Sequence, residues 1–140
     1  MSLPSSPRLR FVPLDESVPD DVLDGVLAVA LSNPAFLATH EGSANEPGHY
    51  DRSMLERDLA VSALDPERHS YALMQADGGT VVGWADVLDR HPRDQVPWIG
   101  LLEIHGHHHR RGYGREAAAA LAAHQRSPGQ TLIFQSGHLR

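Results

Sequence analysis

The chain has 140 residues, of which 41% are hydrophobic and 21% are charged, and its formal net charge is −6 at pH 7. This composition is typical of one folded domain, and the negative charge disfavours a nucleic-acid partner, because such proteins need a basic surface to neutralise phosphates. Lysine and cysteine are absent, which excludes a Walker A P-loop, a lysine Schiff base, disulfides and thiolate metal sites.

The first segment of the chain predicts no regular structure. Residues 1–7 are rich in serine and proline and lack the apolar core of a signal peptide. We interpret them as a flexible leader before a single domain at residues 8–140. No apolar run approaches the roughly 18 residues that span a bilayer, so we expect no membrane partner and a cytoplasmic location.

The next part of the chain predicts one strand and two helices. Alternating polar and apolar side chains at residues 8–13 are typical of a half-buried strand. A helix that ends near Pro34 is predicted by apolar residues at helical spacing, namely Val22, Leu23, Val26, Leu27, Ala30 and Leu31. Residues 39–51 predict a loop. Residues 51–64 predict a second helix, with Asp51 as its N-cap.

The second half of the chain predicts four strands and one helix. A tight turn at residues 77–79 and a polar loop at residues 89–95 separate the first three strands. The helix is predicted at residues 115–125, and the strands at residues 70–75, 80–88, 96–105 and 131–135. The predicted order is therefore β-α-α-β-β-β-α-β, a mixed α/β (α+β) fold.

The connection between the third of these strands and the helix contains the strongest functional pattern. Its sequence is His-Gly-His-His-His-Arg-Arg-Gly-Tyr-Gly-Arg-Glu at residues 105–116. A helix start presents unpaired N–H groups and the positive end of the helix dipole. Gly112 and Gly114 would let a ligand approach the main chain closely. The pattern therefore predicts a phosphate-binding site.

A dinucleotide-binding site is one interpretation of these glycines, because residues 112–117 fit the pattern G-x-G-x-x-A. That fingerprint expects an acidic residue about 20 positions later to hold the ribose. No acidic residue follows Glu116, and the preceding strands look antiparallel. Both observations disfavour this interpretation.

The segment His109-Arg110-Arg111-Gly112-Tyr113-Gly114 resembles the acyl-CoA binding motif Q/R-x-x-G-x-G/A of the GCN5-related N-acetyltransferase (GNAT) family. The strands at residues 80–88 and 101–105 resemble the third and fourth strands of that family, and the resemblance extends over roughly residues 8–135. It implies a GNAT-like fold, acetyl-CoA as co-substrate and an amine acceptor. Main-chain amides of the loop would hold the CoA pyrophosphate. The implied cofactor-binding residues are Ile104, His105, His109, Arg110, Arg111, Gly112, Tyr113, Gly114 and Arg115.

Glu103 is the candidate catalytic base, because family members often present a glutamate late in the fourth strand. A solvent-facing carboxylate or a partner for an arginine is an equally good interpretation of its position. His105 and His107 are alternative bases. The resemblance also implies that backbone amides near Ile104 polarise the thioester carbonyl.

The C-terminal part departs from the family pattern, since the last helix and two strands of the family have no counterpart in the 140 residues. No tyrosine follows Tyr113, although such a tyrosine often protonates the leaving thiolate. The strand at residues 131–135 would then expose an edge, which predicts a homodimer that covers it. A non-catalytic CoA-binding module is the alternative function.

Other side chains suggest weaker hypotheses. The histidines at 105, 107, 108 and 109 could bind zinc, nickel or copper, but their spacing matches no known pattern and we expect no metal requirement. The loops at residues 39–51 and 89–95 would line the acceptor entrance, where Glu41, Glu46 and Asp51 suit a cationic amine. Packing roles are expected for the aromatic residues Tyr71, Trp84, Trp98 and Tyr113.

Overall fold

The computed structural model describes residues 3–33 and 50–125, together with the backbone of residues 133–134. Its strands are Leu9–Pro13 (β1), Arg68–Gln75 (β2), Val81–Leu88 (β3), Trp98–Ile104 (β4) and Ile133–Phe134 (β5). Its helices are Asp20–Leu31 (α1), Arg52–Ser62 (α2) and Tyr113–Gln125 (α3), with a short 3-10 helix at Gly106–His108. The predicted order of elements is confirmed. Most of the predicted loop at residues 39–51, with Glu41 and Glu46, lies outside the described residues.

The five strands form one mixed sheet in the order β1-β2-β3-β4-β5. Strands β1 to β4 pair with one another in antiparallel fashion, and β5 runs parallel to β4 through the pairs Trp98–Ile133 and Ile99–Phe134. A parallel neighbour requires a crossover, which α3 provides. The predicted homodimer depends on the edge of the strand at residues 131–135. Only the backbone of residues 133–134 of that strand is among the described residues.

The first two helices form for the reasons that their sequences suggest. α1 places Val22, Val26 and Val29 on one buried face. α2 begins directly after Asp51, whose carboxylate accepts a hydrogen bond from the backbone N–H of Met54 at 3.0 Å, so the predicted N-cap is confirmed. No helix in the described ranges is both long enough and apolar enough to cross a membrane.

The sheet separates two hydrophobic cores. The face under α3 buries Leu9, Phe11, Tyr71, Leu73, Leu102, Ile104 and Leu121, among others. The face under α1 and α2 buries Val26, Leu55, Ala72, Met74, Trp84 and Leu101, among others. Tyr71, Trp84 and Tyr113 are all buried, which confirms their packing roles. β4 is therefore covered on both faces. Successive strand residues point to opposite faces, so Glu103 lies on the same face as Leu101, toward α1.

Candidate functional site

The connection from β4 to α3 turns through Gly112. The first intrahelical hydrogen bond of α3 runs from the N–H of Glu116 to the carbonyl of Gly112 at 3.0 Å. The helix therefore begins at Tyr113, two residues earlier than predicted. The N–H groups of the first helical turn have no intrahelical acceptor by their position. Since Gly112 is exposed, this end of α3 is open to a ligand.

Two residues of this connection have a left-handed backbone conformation. Gly112 has φ of 82° and Arg110 has φ of 66°. Glycine adopts such angles without steric cost, whereas for arginine they cost roughly 1–2 kcal/mol. Strained non-glycine residues cluster at functional sites, where the surrounding structure holds them in place. The strain at Arg110 makes residues 110–112 a candidate binding loop, although Gln95, in the loop at residues 89–95, has a similar φ of 64°.

Arg8, which precedes β1, holds this connection in place through hydrogen bonds to Glu116 and to the backbone of Arg111. Arg8 donates from Nε to Glu116 Oε1 at 2.6 Å and from its backbone N–H to Glu116 Oε2 at 2.9 Å. The Ser6 hydroxyl donates to the same Oε2 at 2.5 Å. Arg8 also donates from Nη2 to the carbonyl of Arg111 at 3.1 Å. Burial acts to raise the pKa of Glu116, but the hydrogen bonds from Ser6 and Arg8 lower it below its ordinary value. Glu116 is therefore ionised at neutral pH.

The end of β4 is held by the residues that follow α1. The Ser32 hydroxyl accepts a hydrogen bond from the N–H of Gly106 at 3.0 Å. The carbonyl of Ile104 accepts one from Asn33 Nδ2 at 3.2 Å and lies 2.7 Å from His109 Nε2. His109 therefore turns its ring back onto β4, whereas the resemblance predicts a contact with the pyrophosphate.

The backbone groups of Ile104 point away from β3. His105 donates its N–H to the carbonyl of Val82 at 2.8 Å. Neighbouring residues in an antiparallel pair alternate in direction, so Ile104 directs its N–H and C=O toward the β5 side. Within the described backbone, β5 pairs with β4 only at Trp98 and Ile99. The later part of β4 thus presents backbone groups at the edge where the resemblance expects the thioester.

Glu103 lies opposite Trp84 in the register between β3 and β4. Only 3% of Glu103 is exposed, so the solvent-facing interpretation is wrong. A buried carboxylate in the strand that leads to the loop fits a catalytic role. Its assignment as the base stays a prediction.

The histidines of the loop form no metal site that the described residues reveal. His105 Nδ1 accepts a hydrogen bond from the N–H of His107 at 3.1 Å, and His108 Nδ1 lies 3.2 Å from Arg111 Nη1. Burial lowers the pKa of His105, and the neighbouring histidines lower it further. Burial and then Arg111 lower the pKa of His108. No group of three or more metal-binding side chains in the described ranges is arranged to hold an ion.

Two arginines at the start of α3 remain available to a ligand. Arg110 and Arg115 are exposed, and neither forms an ion pair with any carboxylate in the described part of the chain. A cation at a helix N-terminus opposes the helix dipole. An anion bound at Gly112 would relieve this unfavourable arrangement.

A cavity of about 340 Å³ lies on the α1 side of the loop. Asp21 and Gly25 of α1 line it together with Thr80 and Val81 of the hairpin between β2 and β3. Histidines from the loop complete its wall, namely His105, His107 and His108. The predicted acceptor loop at residues 89–95 lies at the other end of β4, about 20 Å away along the strand. There Trp98 is half-buried and stacks on His91 with ring centroids 4.2 Å apart.

Comparison with known proteins places this geometry in context. A model of the acetyltransferase (GNAT) family matches residues 33–136. An acetyltransferase structure from Thermus thermophilus is 27% identical, with a TM-score of 0.63 over 83% of this chain and 68% of its own. A GNAT family acetyltransferase from Staphylococcus aureus has 13% identity and a TM-score of 0.64 over 94% of this chain and 88% of its own.

A further similar structure contains ligands. Spermidine N-acetyltransferase from Vibrio cholerae, solved with CoA and spermine, has 12% identity and a TM-score of 0.59. The similarity covers 86% of this chain and 64% of that protein. No curated protein matches the chain. At these identities the structural similarity to the last two proteins shows a shared fold.

Proposed function

The chain belongs to the acetyltransferase (GNAT) family, and from this premise we propose that it transfers an acetyl group from acetyl-CoA to an amine. One observation carries the proposal. The left-handed Gly112 opens α3 toward a ligand while Arg110 and Arg115 stand exposed beside it. A pyrophosphate supplies the negative charge that this arrangement lacks.

The loop would hold CoA mainly through its backbone. The N–H groups of Gly112, Tyr113 and Gly114 face the pyrophosphate in this proposal, as helix N-termini do in many phosphate sites. The guanidinium groups of Arg110 and Arg115 add charge-assisted contacts. Because Gly112 has no side chain, the phosphate oxygens can approach the main chain closely.

The chemistry would use the end of β4. The N–H of Ile104 polarises the thioester carbonyl from the β5 side of the strand. Glu103 accepts a proton from the attacking ammonium, directly or through water. The amine nitrogen then forms a bond to the acetyl carbon while the bond from carbon to sulfur breaks, and the second proton lost by the nitrogen goes to the departing CoA thiolate.

Two measurements test the proposal. Calorimetry should detect CoA binding, and a thiol-release assay with acetyl-CoA should detect turnover of at least one amine in a panel of polyamines, aminoglycosides and peptides. CoA binding without thiol release would favour the non-catalytic module. A chain that binds no CoA would contradict both functions.

A further inference from the structure

Arg8 lies directly before β1 and contacts the loop at two separate points. Its guanidinium group donates to the Glu116 carboxylate and to the carbonyl of Arg111. It also lies over the ring of Tyr113, 4.5 Å from the ring centroid. The ring is itself fixed, because the Tyr113 hydroxyl accepts a hydrogen bond from Gln75 Nε2 at 3.1 Å. The position of Arg8 relative to α3 is therefore set by several independent contacts.

The contact with Arg111 determines where the next amide points. The carbonyl of Arg111 and the N–H of Gly112 belong to one trans peptide, in which the two groups point in opposite directions. Because Arg8 holds the carbonyl at 3.1 Å, the N–H of Gly112 is directed away from Arg8. That N–H belongs to the residue with φ of 82°, at which the loop turns into the helix.

The contact with Glu116 removes an unfavourable charge. Glu116 lies in the first turn of α3 and is ionised, so its carboxylate would repel a phosphate bound at the same helix end. Arg8 neutralises it at 2.6 Å. Arg8 therefore acts on both the direction of the loop amide and the local charge.

We propose that Arg8 is a positioning residue for the pyrophosphate of CoA, which orients the Gly112 amide and neutralises Glu116. This inference rests on the proposed function. Arg8 acts through the loop, since its guanidinium group is already engaged by Glu116 and Arg111.

The test compares Arg8→Gln with Arg10→Gln. Arg10 is an exposed arginine of β1 whose guanidinium group contacts Met74 Sδ at 3.8 Å, so this variant removes the same charge without touching the loop. Calorimetric titration with CoA should show affinity about tenfold weaker in Arg8→Gln, the loss expected for one charge-assisted hydrogen bond. Arg10→Gln should bind CoA within about twofold of the wild-type chain.

Steady-state kinetics distinguish positioning from general damage to the fold. Arg8→Gln should raise KM for acetyl-CoA while kcat and KM for the amine stay near their wild-type values. Arg8→Lys keeps the charge but cannot reach Glu116 and Arg111 together, so its CoA affinity should lie between those of Arg8→Gln and the wild-type chain. If Arg8→Gln does not fold, the affinity of Arg8→Lys decides the question.

Wild-type CoA affinity in Arg8→Gln, or in Arg8→Lys where only that variant folds, would overturn this inference and leave the proposed function intact. Absence of CoA binding in the wild-type chain itself would overturn both.

Discussion

Nε2 of His109 lies 2.7 Å from the backbone carbonyl oxygen of Ile104. A carbonyl can only accept, so Nε2 carries the hydrogen and donates it. Asn33 donates to the same oxygen from the end of α1. The side chain of His109, the first residue of the glycine motif, therefore stabilises the end of β4.

His109→Ala should lower the free energy of unfolding by about 1 kcal/mol, because it removes one partner of a half-buried hydrogen bond. Urea denaturation measures this change. His107→Ala is the matched comparison, since His107 is exposed and its ring contacts only the edge of the His105 ring, with centroids 5.0 Å apart, among the described residues. That variant should change stability by less than about 0.5 kcal/mol. Equal effects in the two variants would contradict the role of His109.

Glu103→Gln tests the catalytic base. The amide is nearly isosteric with the carboxylate but cannot accept the ammonium proton, so kcat should fall about 100-fold while CoA affinity stays unchanged. Thiol-release kinetics give kcat, and calorimetric titration gives the CoA affinity.

Glu56→Gln is the control for that experiment, because Glu56 is an exposed carboxylate on α2 whose side chain is 54% accessible. It should retain wild-type kcat. Wild-type turnover in Glu103→Gln would remove Glu103 from the mechanism and leave His105 or His107 as the candidate base.

Local patterns were enough to predict the elements and their order. Helical spacing identified α1, and the glycine pair located the start of α3. The burial of Glu103 could not be predicted, because β4 is covered on both faces and its apolar run shows no alternation. In the sequence of such a strand, no pattern distinguishes a polar residue that faces solvent from one that faces a second core.

Contacts between distant parts of the chain also escaped prediction. Arg8 and Glu116 are 108 positions apart, and no periodicity connects them. The hydrogen bonds of Ser32 and Asn33 to the end of β4 depend on how α1 crosses the sheet. Side chains that position a loop therefore have to be found from tertiary geometry, whereas the loop itself is visible in the sequence.

Acidification should loosen the loop. His105 and His108 each accept a hydrogen bond at Nδ1, which a protonated imidazole cannot do. Their pKa values are lowered from 6.5 in the folded chain, so the unfolded chain binds more protons between the folded value and 6.5. Their contribution to stability is therefore full above about pH 6.5 and is lost as the pH falls through that window.

Thermal unfolding from about pH 7.5 to about pH 5.5 measures this effect. The melting temperature should fall. Asp21 lines the same cavity as the two histidines and opposes part of the change. His108→Gln, whose amide oxygen can still accept from Arg111, should reduce the dependence on pH. An unchanged slope in that variant would contradict the assignment to His108.

Gly112→Ala separates backbone strain from ligand binding when it is compared with Gly78→Ala. Both glycines have positive φ, 82° and 95°, so each substitution should destabilise the fold by about 1 kcal/mol. A Cβ at Gly78 would meet nothing within 4 Å, whereas a Cβ at Gly112 would lie 3.4 Å from Arg8 Nη2.

Only the variant at Gly112 should weaken CoA binding, since its methyl group presses on Arg8, which holds the carbonyl of Arg111 and so the direction of the Gly112 amide. Gly112→Glu should weaken binding further because it adds a negative charge beside the pyrophosphate. Calorimetry with CoA on folded samples of each variant provides the comparison. If Gly112→Glu bound CoA as tightly as Gly78→Ala, the pyrophosphate could not lie at this loop, and the N-terminus of α3 would lose its assigned role.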